Sequence, residues 1–266
     1  MTAGGSPLLE QLVGDFEAEC ADLDARVSPL ETAAWGTPTP AIGWDIRDTI
    51  NHLAFFDADA LLAVTDPDAF TALVQRVTVA GNDYVEQRTL EGRSFDPAQV
   101  LDRWRTGRVA LAAALRGMDP GARVPWFGPS MSPASFVTAR LMEVWAHGQD
   151  VVDALGQQRP ATSRLRAVAD LGYRTRAFSY AVRGAVMPEA PVRLELAGPE
   201  GQTWTWGPPD AADVISGPAL DFCLLVTQRR HRDDLALTVR GAAAQEWAAI
   251  AQAFAGPPGA GREPLS

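Results

Sequence analysis

Along the first 160 positions, apolar residues recur every three or four places with polar residues between them. Leu8, Leu12, Phe16, Leu23 and Val27 form one such stripe, and the spacing predicts an amphipathic helix over 7–27 that Ser28-Pro29 ends. A second stripe, Ile46, Ile50, Leu53, Phe56 or Asp57, Ala60, Leu61 and Val64, predicts a helix running from an Asp45 N-cap to about Val64. Between them Trp35 and Trp44 flank a stiff Thr37-Pro-Thr-Pro40 loop, which they are expected to pin. A less regular helical connector follows over 67–91, interrupted at Gly81-Asn82.

Asp96-Pro97 then opens a third long helix, with Val100, Leu101, Trp104, Arg108, Leu111 and Leu115 at helical intervals and Gly117 closing it. Ser132-Pro133 opens a fourth, which Gly156 ends. Four long helices with compatible apolar faces predict an up-and-down four-helix bundle over 1–160. A linking helix is expected from Thr162 or Ser163 to about Arg183, within 161–185. After Pro188 the period changes from helical to alternating. Val192–Leu196 and Thr203–Trp206 read as strands joined by a Gly198–Gly201 turn, with further strands at 212–215 and 235–239 and helices at 217–227 and 242–254. The fold class is therefore α+β: a helical bundle, a small α+β domain over 161–255, and a loose tail over 256–266.

Composition removes several function classes. The 266 residues carry a formal charge of -10 and contain no lysine. A phosphate backbone or an anionic membrane needs a basic partner, so neither nucleic acid nor membrane is expected. No apolar run reaches bilayer length, and Met1–Ser6 lacks the basic-then-apolar pattern of a signal peptide. Cys20 and Cys223 are far apart and outside any CxxC pair, so they are expected as reduced buried thiols in a cytoplasmic monomer or homodimer. Phosphate-binding glycine loops, a G-x-S-x-G elbow, internal repeats and heptads are absent from the sequence.

The chemistry concentrates on three side chains. Glu143 and His147 are four residues apart on the fourth helix, so they share one face. His52 lies in the second helical pattern. Two imidazoles and one carboxylate bind a divalent ion and leave positions for water or substrate, and bundle interiors host such sites. An E-x-x-x-H spacing is common by chance, and a lone helical histidine is more often a satisfied core or surface group. The setting of Glu143, among Met142, Val144, Trp145 and Ala146, adds weight, because an unpartnered charge there is costly to bury.

The segments Trp44-Asp-Ile-Arg-Asp-Thr-Ile-Asn-His52-Leu and Arg140-Leu-Met-Glu143-Val-Trp-Ala-His147-Gly-Gln-Asp150-Val resemble the two signature segments of the mycothiol-dependent maleylpyruvate isomerase family. That family belongs to the DinB-like metal-binding bundles. The resemblance covers about 1–160 and, more loosely, the C-terminal domain. It implies a divalent metal, zinc by preference, on His52, Glu143 and His147. It also implies mycothiol as a low-molecular-weight thiol, and isomerisation or S-transfer on a small carboxylate-bearing electrophile. A thiol-independent metal-hydroxide hydrolase and a non-catalytic metal- or ligand-binding protein are the rival readings.

Further candidates surround this set. Arginine grips carboxylates with two parallel hydrogen bonds, and Thr227-Gln-Arg229-Arg230-His231-Arg232 follows an apolar helix. The resemblance implies that an arginine of the C-terminal domain faces the metal cleft, and Arg229 or Arg230 is the position expected; a solvated helix end is the plain alternative. Trp126, with Phe127, could wall the substrate or thiol cleft or simply anchor its loop. Asp150 could orient the His147 ring, and Arg140, one turn before Glu143, could be its ion-pair partner. His231 has charged neighbours and is expected to be exposed.

Overall fold

The computed structural model describes residues 6–80, 84–259 and 261–265. The chain divides into two compact units, 1–159 and 160–266. The expected break at Gly81-Asn82 lies outside the described residues, as do Met1–Gly5.

The first unit is helical: α1 (Pro7–Val27), α2 (Ile46–Thr65), α3 (Pro67–Ala80), α4 (Tyr84–Gly92), α5 (Pro97–Arg116) and α6 (Pro133–Ala154). The starts are built by local chemistry. Asp45 Oδ1 accepts from the Asp48 N–H at 2.8 Å, and the Asp48 carboxylate accepts from Asp45 N–H in return. Asp96 and Gln99 repeat this reciprocal cap at α5. Ser132 caps α6, whose first residue is Pro133. At the other end of α6, Gly156 takes a left-handed φ of 61°, and the N–H groups of Gly156 and Gln157 close back on the Asp153 and Val152 carbonyls.

The four long helices pack in a ring: α1 touches α5 and α6, and α2 touches the same two. Phe16, Ile50, Leu53, Trp104, Leu111 and Phe136 are fully buried there, each worth roughly 1.5–3 kcal/mol of transfer free energy. α3 and α4 cover a further side of α2. The approach of α4 requires Gly92, since a Cβ there would stand 2.1 Å from the Asn51 side chain.

Enclosed on several sides, α2 buries polar residues as well as apolar ones. A buried polar group needs a partner. Asp48 pairs with Arg93 at 2.7 Å, Asn51 donates to the Arg88 carbonyl at 3.1 Å, and Tyr84 Oη donates to Asp59 at 2.7 Å. Asp57 pairs with Arg140 of α6, Nη2 to Oδ1 at 3.0 Å. Asp57 thus takes the buried place for which Phe56 was the alternative; Phe56, Leu61 and Val64 are half-buried. The Arg140–Asp57 pair also replaces the Arg140–Glu143 pair expected from spacing, because burial of both groups favours a partner across the helix interface. Burial pushes the Asp57 carboxyl above its usual range, opposed by the charge and hydrogen bond of Arg140.

The second unit contains α7 (Leu165–Arg174), α8 (Arg176–Ala181), β1 (Val192–Ala197), β2 (Thr203–Trp206), β3 (Asp213–Pro218), α9 (Ala219–Val226), β4 (Thr238–Arg240) and α10 (Ala242–Ile250). The single helix expected up to Arg183 is broken at Thr175, whose hydroxyl turns back to the Leu171 and Gly172 carbonyls. The sheet order is β2-β1-β3-β4, antiparallel at both edges and parallel between β1 and β3. β4 is shorter than the alternation over 235–239 suggests. α10 stops at Ile250, where the chain extends and Ala253 N–H donates to the Val226 carbonyl at 2.8 Å. Val192, Leu194 and Leu196 turn one face of β1 into the core, under α9. The described part of the 256–266 tail is tied down: Gln252 Nε2 donates to the Gly256 carbonyl, and Leu265 N–H to the Asp234 carboxylate, each at 3.1 Å.

Both cysteines are buried free thiols, and burial raises Cys20 well above its ordinary value. Among the described residues no helix is long and apolar enough to cross a membrane. Residues 1–159 carry 12 arginines against 22 acidic residues and residues 160–266 carry 11 against 11, so the whole formal charge of -10 belongs to the first unit.

Candidate metal centre

α2 brings in His52 two turns after its cap, and α6 brings in Glu143 and His147 from one face. One ligand atom from each of the three lies within 4.8 Å of the others. Among the described residues this is the one group of three or more such side chains that could hold a metal ion. The two imidazole rings stand 4.5 Å apart, centroid to centroid. His147 Nε2 is 3.4 Å from Glu143 Oε2, and its Nδ1 is 3.4 Å from Asp150 Oδ2. The His147 ring therefore spans two carboxylates of its own helix, one on each nitrogen. His52 and His147 are 8% and 9% exposed, whereas Glu143 is half-buried, so one side of the set remains open to water.

Aromatic rings wall the set. Trp44 stacks on His147 at 5.9 Å and stands 4.9 Å from His52. Phe56 meets the edge of His52 at 4.7 Å. Beyond Phe56 lie Trp126 at 6.1 Å and Phe127 at 5.9 Å, with Trp126 also stacked on Phe70 at 5.4 Å. Trp126 is thus one ring removed from the ligands and half-buried. Trp44, taken from the sequence as a loop anchor, and Phe56 are the neighbours that sequence reasoning missed. The available signal was the position of Trp44 immediately before the Asp45 cap, which puts it at the mouth of the helix that carries His52.

Arg229 and Arg230 lie in the second unit, in the turn that follows α9. Arg229 Nη1 donates to the Thr227 carbonyl at 2.6 Å, and Arg230 Nη1 to the Arg229 carbonyl at 2.7 Å. His231 is half-buried and accepts from the Asp233 N–H at 3.2 Å. It belongs to no metal-capable group among the described residues.

A family model described as the mycothiol maleylpyruvate isomerase N-terminal domain matches residues 16–152. A model described as wyosine base formation matches residues 188–240. Two proteins from different strains of Mycobacterium tuberculosis, both described as uncharacterized, are 49% identical over 250 residues, covering 94% of this chain and 97% of theirs. Crystal structures of the mycothiol-dependent maleylpyruvate isomerase and of a mutant of it match with a TM-score of 0.60 at 17% identity, over 87% of this chain and 92% of the isomerase chain. At that identity the likeness is one of fold.

Proposed function

Because the chain belongs to the family of the mycothiol maleylpyruvate isomerase N-terminal domain, we propose that it is a metal-dependent enzyme acting with a low-molecular-weight thiol on a small carboxylate-bearing electrophile, by isomerisation or S-transfer. His52, Glu143 and His147 hold the ion; zinc is the favoured metal and mycothiol the favoured thiol. The observation that carries the reading is the approach of the three ligand atoms to within 4.8 Å of one another. Two imidazoles and a carboxylate fit a divalent cation and leave coordination positions open.

When bound, such an ion supplies Lewis acidity, lowering the pKa of a coordinated water or thiol toward neutrality. The protein's own groups prepare that chemistry. The Asp150 carboxylate, 3.4 Å from His147 Nδ1, would favour a proton on that nitrogen and leave Nε2, 3.4 Å from Glu143, to face the ion. Trp44 and Phe56 fix both imidazole rings and give the open side an apolar wall. Trp126, behind Phe56, shapes the space for the thiol. The C-terminal arginine that grips the substrate carboxylate is Arg229 or Arg230.

Purified protein is expected to carry about one equivalent of divalent metal, as a site with three protein ligands should. His147→Ala should abolish it, and full metal retention by that variant would refute the site. Incubating the metal-loaded protein with a maleyl-type substrate, with and without mycothiol, tests the thiol: turnover independent of added thiol would remove it from the mechanism. Replacing Arg229 and Arg230 should spare the metal and raise KM; unchanged kinetics in both variants would remove them from the site.

A further inference from the structure

A second feature of the chain lies wholly within the C-terminal unit. A cavity of about 200 Å³ opens there, with Leu225 and the alanines at the end of α10 on one side. Arg183, Arg230, Arg232 and Arg262 also line it, and Asp233 is the one carboxylate among the described lining residues. All four arginines are half-buried, whereas the Asp233 side chain is 76% exposed and lies beside His231. Arg183 bonds to neutral acceptors, the Ser179 carbonyl and Gln252 Oε1. Among the described residues, neither Arg183 nor Arg232 has a carboxylate within ion-pair distance. The like charges of Arg183 and Arg232 beside one small space repel each other, and the repulsion is reduced when an anion enters between them.

The backbone is bent to make this arrangement. α9 closes with the same double hydrogen bond as α6: Gln228 N–H reaches the Leu225 carbonyl, and Arg229 N–H reaches the Leu224 carbonyl. α6 places a glycine at the left-handed position of that motif. α9 places Gln228 there, at φ 56°, the one left-handed non-glycine residue among those described. Such a conformation is costly for a residue with a Cβ and tends to persist where function holds it. Gln228 is locked by its own Nε2, which donates to the Ala251 carbonyl at 3.1 Å. The turn carries Arg230 and Arg232 to the cavity, and the tail, tied at Gly256 and Leu265, brings Arg262 to it.

We propose that this cavity is a binding site for a compact multivalent oxyanion, a phosphate monoester or a small dicarboxylate, held by Arg183, Arg232 and Arg262. The volume falls below the ~300–1,000 Å³ usual for drug-sized ligands, which restricts the occupant to a small ion. Planar guanidiniums match tetrahedral phosphate and paired carboxylates alike. The proposal goes beyond the metal reading and does not depend on it.

Calorimetric titration of the full chain with inorganic phosphate, with succinate and with acetate, at matched ionic strength, tests it. Saturable binding of phosphate or succinate, at least tenfold tighter than acetate, is expected, and the tighter of the two names the source. A response that only follows ionic strength overturns the site. Arg183→Gln/Arg232→Gln should weaken binding at least tenfold, and wild-type affinity in that variant also overturns it. Should the double variant fail to fold, Arg232→Gln alone, which loses no side-chain hydrogen bond to the described residues, carries the same comparison. His147→Ala should bind the anion as the wild type does; loss of binding there would assign the anion to the metal centre and overturn the proposal.

Discussion

Removing Arg140 from beneath Asp57 should cost more than any surface change in the helical unit. The two side chains are 4% and 0% exposed, and Asp57 Oδ1 accepts from both Nε and Nη2 of Arg140 at 3.3 and 3.0 Å. Arg140→Met keeps most of the volume and strands a carboxylate that water cannot reach. Breaking a buried pair from one side typically costs about 3–5 kcal/mol, whereas an exposed pair such as Arg88–Glu91, at 30% and 61% exposure, contributes ~0.3–0.5 kcal/mol. With a urea m-value of ~2 kcal/mol/M, the buried loss should lower the unfolding midpoint by roughly 2 M.

The sign of the pH dependence follows from Asp57. Its folded-state pKa already lies above the ordinary value, and without Arg140 it rises further. The folded variant then binds more protons than the unfolded chain between the two pKa values, so its stability falls as pH rises through that window. The defect of Arg140→Met should therefore shrink as pH is lowered through that window and Asp57 takes up a proton, and Asp57→Asn should rescue much of it at neutral pH. A midpoint shift no larger than that of Arg88→Met, or a defect independent of pH, would refute the account. Because Asp57 follows His52 on α2 and Arg140 precedes Glu143 on α6, the same variant should also bind metal more weakly.

Asp150→Asn should weaken metal binding by roughly 10–100-fold, measured by competition with a chelator, since it loses the charge behind His147 Nδ1; unchanged affinity would remove Asp150 from the site. Gly172→Ala should destabilise the C-terminal unit by ~1–3 kcal/mol in urea titration, because its Cβ would stand 2.8 Å from Val226 Cγ2 and 3.2 Å from Phe222. Hydrogen bonds and charge from Arg105 and Arg108 hold the Asp24 carboxyl below its usual range, so its stabilisation is present above the unfolded value and is lost as pH falls through the folded one. Asp24→Asn should accordingly flatten the stability-against-pH curve below about pH 4, and an unaltered curve would count against the Arg105–Asp24–Arg108 cluster.

Three helix starts of the first unit were legible because they are written in adjacent residues: Asp45, Asp96-Pro97 and Ser132-Pro133 all cap where the spacing says they should, whereas the start expected at Thr162 or Ser163 falls at Leu165, with no side-chain cap. The break at Thr175 was not legible, because neither glycine nor proline marks it and a hydroxyl bond to the preceding turn does the work. Glu143 and His147 declare their shared face by an interval of four. Their approach to His52 depends on how α2 meets α6, which is a property of packing, and no local interval reports it. The partner of Arg140 was hidden for the same reason. Sequence offers Glu143 one turn away, while the fold offers a carboxylate on another helix with no water to compete. Trp44 was visible as an aromatic but not as a neighbour of two histidines, since its place follows from the Asp45 cap that turns the chain into α2.

The unequal sharing of charge between the two halves of the chain bears on kinetics. An excess of ten acidic groups over arginines on residues 1–159 creates a potential that draws cations in by diffusion, and its reach shrinks to ~8 Å at physiological ionic strength. Capture of a divalent ion should therefore be fast in dilute buffer and slow steeply as salt is added. Release, governed by the ligands themselves, should hardly change.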